Sequence, residues 1–250
     1  MMSTEDETGL IEKITDRLAR VRESIAQSAA KAGRRAEDVE IVTVSKRQPE
    51  ALIRAAYACG LRCFGENYPE EALVKIENLS GLSGIQWDII GHIQRRKAKL
   101  IADRVARVHS VDSLKLAELL SQLRPADMPA LDVLLEVNVS GEASKGGFSA
   151  QSPADWADLL PVVDEISSLP RLRLRGLMTM PPLQTEMEEN RVYFRKLRAL
   201  LDFLNGACPG LELRELSMGT SSDYPVAIEE GATLIRLGEA ILGARPLKAI

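Results

Sequence analysis

The sequence predicts an α/β fold: a single (β/α)8 barrel of the TIM type with an extra helix at its N-terminus. Three observations predict it. Eight short runs rich in Val, Ile and Leu alternate with longer amphipathic stretches. Polar and glycine-rich motifs fall just past one apolar run after another, as they would around the mouth of a barrel. No GxGxxG follows the first run, which counts against the alternative, an open doubly wound sheet for a dinucleotide.

The strands are predicted near 40–45, 62–66, 85–90, 106–110, 131–139, 172–178, 213–217 and 232–237. A long helix near 9–32 precedes them. Its Leu10, Ile14, Leu18, Val21 and Ile25 recur at three- and four-residue steps, so one face packs on the body. Further helices are expected at 49–59, 69–78, 94–103, 112–122, 152–167, 188–205 and 223–230, with a short turn after 238. Pro49 suits a first helical turn, and Gly60 suits a left-handed cap after the helix that follows. Ser152 before Pro153 reads as an N-cap, and Ser222 or Asp223 can cap the helix running into "AIEEGA". The chain divides into a disordered N-terminus, 1–8, and one barrel domain, 9–250.

Composition excludes several classes. Of 250 residues, 45% are hydrophobic and 27% charged, an ordinary globular balance. The net charge of −4 gives no basic field for nucleic acid, and no apolar run is long enough to span a bilayer. The N-terminus "MMSTEDETGL" is acidic and polar, unlike a targeting peptide. Cys59, Cys63 and Cys208 lack metal-like spacing and read as reduced, packed thiols of a cytoplasmic protein. Two histidines do not make a histidine-rich metal site, and no metal is expected.

The chemistry sits in the motifs past the strand ends: "SK" at 45–46, "GEN" at 65–67, "GHIQ" at 91–94, "NVSGEASKGG" at 138–147, "MTMPP" at 178–182, "SMGTSSD" at 217–223 and "RLGEAILGAR" at 236–245. Lys46 ends the greasy run "IVTVSK". A lone lysine there would snorkel to solvent. Beside a cation and partly buried, its amine loses its proton more readily and can attack an aldehyde. The motifs at 217–223 and 236–245 follow the last two strands, the usual phosphate corner of such barrels. Small residues there let backbone N–H groups approach an anion, and Ser217 and Thr220 add hydroxyl donors. Turn and capping chemistry selects the same residue types. Lysine and corner together favour a phosphorylated aldehyde as ligand.

Arg236, within "TLIRLG", must be paired if buried, either by a neighbouring glutamate or by an acceptor on the ligand, such as a pyridine nitrogen. Asn67 and Asn138 are candidates for ligand contacts or for turns. His92 can face the mouth but reads first as a structural histidine, His109 reads as packing or a strand-end hydrogen bond, "RRKAK" at 95–99 as a solvated face rather than an anion site, and Met178 and Met180 as core.

Taken in order from about residue 10 to 245, "VSK", "FGENY", "IIGHIQRRK", "NVSGEASKGG", "LRGLM", "SMGTSSD" and "IRLGEAILGAR" resemble the pyridoxal-phosphate homeostasis protein family, the YggS/PROSC-like proteins. The resemblance implies a barrel of the alanine-racemase type (fold type III) that binds pyridoxal 5′-phosphate. By the same likeness Lys46 carries the Schiff base, Arg236 faces the ring nitrogen and Asn67 lies near the ring. Ser217, Gly219, Gly238 and the amide of Glu239 would hold the phosphate, with Thr220 beside them. The chain departs from the family at Thr220, often Met, at Arg96, often Asn, at Glu239, often Ser or Thr, and at Glu70, usually Gln. A carboxylate aimed at a phosphate would repel it, so the Glu239 side chain is expected to turn away.

Three functions share these residues: a cofactor carrier, an amino-acid racemase and a Schiff-base aldolase for sugar phosphates. An arginine at the ring nitrogen makes the ring a poorer electron sink. Racemisation also needs an acid–base group on each face. In racemases of this fold the second group is a tyrosine on an added β-domain, for which a chain ending at Ile250 leaves no room. Tyr57, Tyr68, Tyr193 and Tyr224 have no evident claim to the role. The favoured reading is therefore a non-catalytic, monomeric, cytoplasmic carrier of pyridoxal phosphate, with pyridoxal-phosphate-dependent apo-enzymes as partners; the alternative is the racemase.

Overall fold

The computed structural model describes residues 4–244. Residues 1–3 of the stretch expected to be disordered, and residues 245–250 at the end of the expected barrel domain, lie outside the described residues. Helix α1 spans Thr4–Lys31 and so begins inside the stretch 1–8. Its Ile14, Leu18, Val21 and Ile25 are buried, as their spacing predicts. Each contributes roughly 1.5–3 kcal/mol relative to exposure.

Among the described residues nine strands follow: β1 (Glu40–Val44), β2 (Cys63–Glu66), β3 (Gln86–Ile89), β4 (Arg107–Val111), β5 (Leu131–Asn138), β6 (Phe148–Ser149), β7 (Leu172–Met178), β8 (Glu215–Thr220) and β9 (Leu234–Leu237). Eight form a closed parallel barrel in the order β1-β2-β3-β4-β5-β7-β8-β9, with β9 pairing back to β1. These are the eight predicted strands. The ninth, β6, is a two-residue pairing beside the end of β5, too short to leave a periodic signal.

The helices outside the barrel are α2 (Glu50–Ala58), α3 (Pro69–Asn78), α4 (Leu114–Leu123), α5 (Leu160–Ser167), α6 (Arg191–Ala207), α7 (Tyr224–Glu229) and α8 (Glu239–Leu242). Gly60, just after α2, has φ of 90°, the left-handed geometry its position predicts. The helix expected at 94–103 is only a 3-10 turn, Arg95–Leu100. Ala98 is its one buried residue, so no apolar stripe holds a longer helix against the barrel. Residues 153–159 likewise form a 3-10 turn, and α5 starts beyond it around Pro161, whose missing N–H cannot continue an earlier helix. Ser152 caps that turn, accepting from the Ala154 N–H at 3.3 Å.

Two cores result. The larger lies between the strands and the helices and includes Phe64, Ile89, Leu120, Leu177, Phe194 and Ile235. The smaller fills the barrel itself with Val42, Cys63, Leu134, Met178 and Leu234. The rest of the barrel interior is polar, and that polarity differs between its two ends. Among the described residues no helix is long and apolar enough to cross a membrane.

Candidate functional site

The C-terminal ends of the strands surround a pocket of about 530 Å3. Lys46 lines it beyond β1, Asn67 beyond β2 and His92 beyond β3. Glu136 lines it from β5, Met180 from just past β7, Thr220, Ser221 and Ser222 from β8 and the turn after it, and Arg236, Gly238 and Glu239 from β9 and the start of α8.

Lys46 owes its place to strand parity. Glu40, Val42 and Val44 alternate along β1, and Lys46 continues the two-residue period past the strand end. The Ser45 N–H still donates to the Gly65 carbonyl at 3.0 Å, so the ladder runs one residue beyond β1. The chain then turns: the Gln48 N–H donates to the Ser45 carbonyl, and Arg47 adopts φ of 57°, the one non-glycine positive φ among the described residues.

Arg236 is buried at the pocket floor. One terminal nitrogen donates to the Ser217 carbonyl and to the Ser217 hydroxyl, both at 2.7 Å. The other donates to the Thr179 carbonyl at 2.9 Å and approaches the Met180 sulfur. Burial lowers its pKa to about 10, partly offset by Asp223 and Glu136. The glutamate partner expected as one alternative is absent from these bonds; a hydroxyl and two carbonyls take its place.

The Ser217 oxygen accepts from Arg236, so its proton is free for His109 Nδ1, 2.8 Å away. His109 Nε2 lies 3.0 Å from Asp88, which also accepts two bonds from Arg107. Burial pushes the His109 pKa down although Asp88 pulls it up, so the neutral ring donates from Nε2 and accepts at Nδ1. Burial opposes the charge on Asp88, but bonds from His109 and Arg107 outweigh it and hold its pKa below the usual carboxylate value. His109 is structural, as expected. Ser217 is not at the pocket surface: it lies fully buried beneath Arg236.

The corner after β8 is built by one carboxylate. Asp223 stands at the N-cap of α7 but folds back: it accepts from the Thr220 N–H at 2.6 Å, the Thr220 hydroxyl at 3.0 Å and the Asn190 side chain at 2.8 Å. Ser221 Oγ accepts from the Ala240 N–H at 3.2 Å and ties this turn to α8. Gly219 has φ of 89°, and a Cβ there would stand 2.6 Å from that of Ala227. It makes the turn possible without lining the pocket.

Of the eight residues predicted for the site, six line this pocket: Lys46, Asn67, Thr220, Arg236, Gly238 and Glu239. Glu239 is exposed. Asn67 Oδ1 is buried with no hydrogen-bond partner. Asn138 serves its own loop, accepting from the Ser140 and Gly141 N–H groups and donating to the Glu142 carbonyl. Arg96 bonds Gln94 and Glu70 pairs with Lys97, away from the pocket.

Sequence reasoning missed Glu136 and placed Met180 in the core, whereas Met180 is 44% exposed and lines the pocket. Glu136 stands two residues after the inward-facing Leu134, and a carboxylate at that parity inside an apolar run was the available signal. Burial and the nearby Asp112 raise its pKa, against His92 and Arg236. His92 meets both of its expected readings: it lines the pocket, and its Nδ1 lies 2.8 Å from Asp112.

A family model described as "Alanine racemase, N-terminal domain" matches residues 17–246. The pyridoxal phosphate homeostasis protein of Pseudomonas aeruginosa is 46% identical over 232 residues, 93% of this chain and 96% of its own. That of Escherichia coli K12 is 37% identical over 234 residues, 93% of this chain and 97% of its own. A structure of PipY from Synechococcus elongatus PCC7942, solved with PLP bound, superposes with a TM-score of 0.79 at 36% identity and covers 92% of this chain and 100% of its own.

Proposed function

Because the chain belongs to the pyridoxal phosphate homeostasis protein family, built on the alanine racemase N-terminal domain, we propose that it binds pyridoxal 5′-phosphate at the barrel mouth and holds it on Lys46 for storage, protection or delivery. One observation carries the reading: Lys46, Arg236 and the hydroxyl-rich turn at 220–222 line a single pocket. The residues fit the cofactor. Asn67 Oδ1 is a buried acceptor in want of a donor. Ser221 and Ser222, with the backbone at Gly238 and Glu239, offer donors to a phosphate, while Asp223 engages both donors of Thr220. The Arg236 guanidinium lines the pocket and, as a group that donates and never accepts, suits an unprotonated ring nitrogen. Ser217 fixes Arg236 from below, and Gly219 shapes the turn. When bound, the cofactor supplies an aldehyde that condenses with an amine.

We hold the role to be non-catalytic. The relatives carry the name of homeostasis proteins, and none of the four tyrosines lines the pocket. The protein is taken to work in the cytoplasm, where its three free cysteines stay reduced, as a monomer that supplies apo-enzymes. Two measurements test this. The purified protein should take up pyridoxal 5′-phosphate and turn yellow; a preparation that stays colourless with added cofactor overturns the binding claim. The loaded protein, incubated with single-enantiomer amino acids in deuterated water, should leave Cα unexchanged, whereas sustained exchange with turnover would make it a racemase.

A further inference from the structure

Lys75 lies on α3, buried, and lines no part of the pocket. An ammonium has three N–H donors, and here all three are used. They reach the Ser45 carbonyl at 2.6 Å, Glu66 Oε1 at 2.7 Å and Glu71 Oε1 at 2.7 Å. Glu66 Oε1 also accepts from the Ser45 hydroxyl at 2.7 Å, and Glu71 Oε1 accepts from the Arg47 N–H. One buried cation therefore grips the residue before Lys46 directly and the residue after it through Glu71. The same cation holds Glu66, whose neighbour Asn67 lines the pocket.

We propose that Lys75 is a positioning residue, which locks the backbone on both sides of Lys46 so that its amine is presented to the aldehyde of the bound cofactor. The inference rests on the cofactor reading above. Stability alone does not account for such a cluster. A buried ion pair carries a desolvation cost that well-packed apolar side chains avoid. Glu66 Oε2 moreover stays buried without a partner. What the cluster achieves is geometry: it secures the left-handed turn at Arg47, a conformation an L-residue adopts only when held. A misplacement of about 1 Å costs an amine on the order of 100-fold in rate.

The test separates presentation from binding. Linkage forms a C=N bond between Lys46 Nζ and the aldehyde carbon and releases water. Pyridoxine 5′-phosphate, with an alcohol in place of the aldehyde, binds without that step. The rate of linkage is read by absorbance with pyridoxal 5′-phosphate, and pyridoxine 5′-phosphate affinity by equilibrium dialysis. The variants are Lys75→Met combined with Glu66→Gln, which leaves no unpaired buried charge at Glu66, and Glu71→Ala, which breaks only the Arg47 side of the clamp. Linkage should slow about 10- to 100-fold in the double variant and less in Glu71→Ala, with pyridoxine 5′-phosphate affinity held within about two-fold. Linkage at the wild-type rate, or an equal loss with both ligands, would overturn the proposal while leaving the cofactor reading intact. A wild-type protein that never links removes both.

Discussion

Two cavities are of similar size, about 450 Å3 beside α1 and the starts of β1 and β2 and about 530 Å3 at the C-terminal mouth, yet the two ends of the barrel differ in what their polar groups do. At the N-terminal end charge is spent on charge. Arg107 donates to Asp88, Glu40 and Glu215, and these carboxylates push its pKa up against burial. Cys63, in the same cluster, is a thiol whose pKa burial and Asp88 push well up, so it is no nucleophile. At the C-terminal end Asn67 Oδ1 is buried with no hydrogen-bond partner in a pocket that Lys46, His92 and Glu136 also line. Cavity volume does not tell a site from a seam. Polar groups that the fold leaves for something else to satisfy do.

The sharpest way to break this contrast is to remove one cation from each end. Arg107→Met should cost about 3–5 kcal/mol by urea denaturation, because it strands Asp88 in the core. Lys46→Met should cost about 0.5 kcal/mol or less, yet abolish the absorbance of the linked cofactor. Equal destabilisation by the two would erase the distinction.

Gly219→Ala should fall next. The left-handed φ and the clash with Ala227 should cost about 1–3 kcal/mol and weaken binding of phosphorylated ligands. A variant as stable as wild type would mean the turn is softer than its geometry implies.

The smallest expected effect is on pH dependence, and it joins the two ends. His109 faces Asp88, Arg107, Arg236 and Ser217, and burial sets its folded pKa below that of an exposed imidazole, about 6.5. The unfolded chain therefore takes up this proton first. Stability is full above about pH 6.5 and is lost as the pH falls from there toward the folded value. Asp88, also depressed, adds a second loss below about pH 3.9. His109→Gln should flatten the upper step and leave the lower one; an unchanged upper step would assign it to another group.

Much of this was legible in the chain. Alternating apolar runs mark the barrel strands, and "IVTVSK" sets Lys46 just past the first strand end, where the motifs after the last two strands give it a role. Local signals also locate Gly60 and the Ser152 cap. The polar spine from Arg107 through Asp88, His109 and Ser217 to Arg236 was not legible, because its members come from four different strands and meet only when the barrel closes. That is why Ser217 read as a phosphate ligand when it supports Arg236. Glu136 escaped for a related reason: inside an apolar strand, its meaning depends on which face turns inward. The Lys75 clamp was hidden too, since a lysine on a helix ordinarily reads as solvated.

The central claim is that Lys46 anchors pyridoxal phosphate at the barrel mouth, and one measurement meets it directly. The loaded protein is reduced with borohydride, digested and mapped by mass spectrometry. A single phosphopyridoxyl label on Lys46, absent from Lys46→Ala, is the expected result. A label on any other lysine, or none, would contradict it.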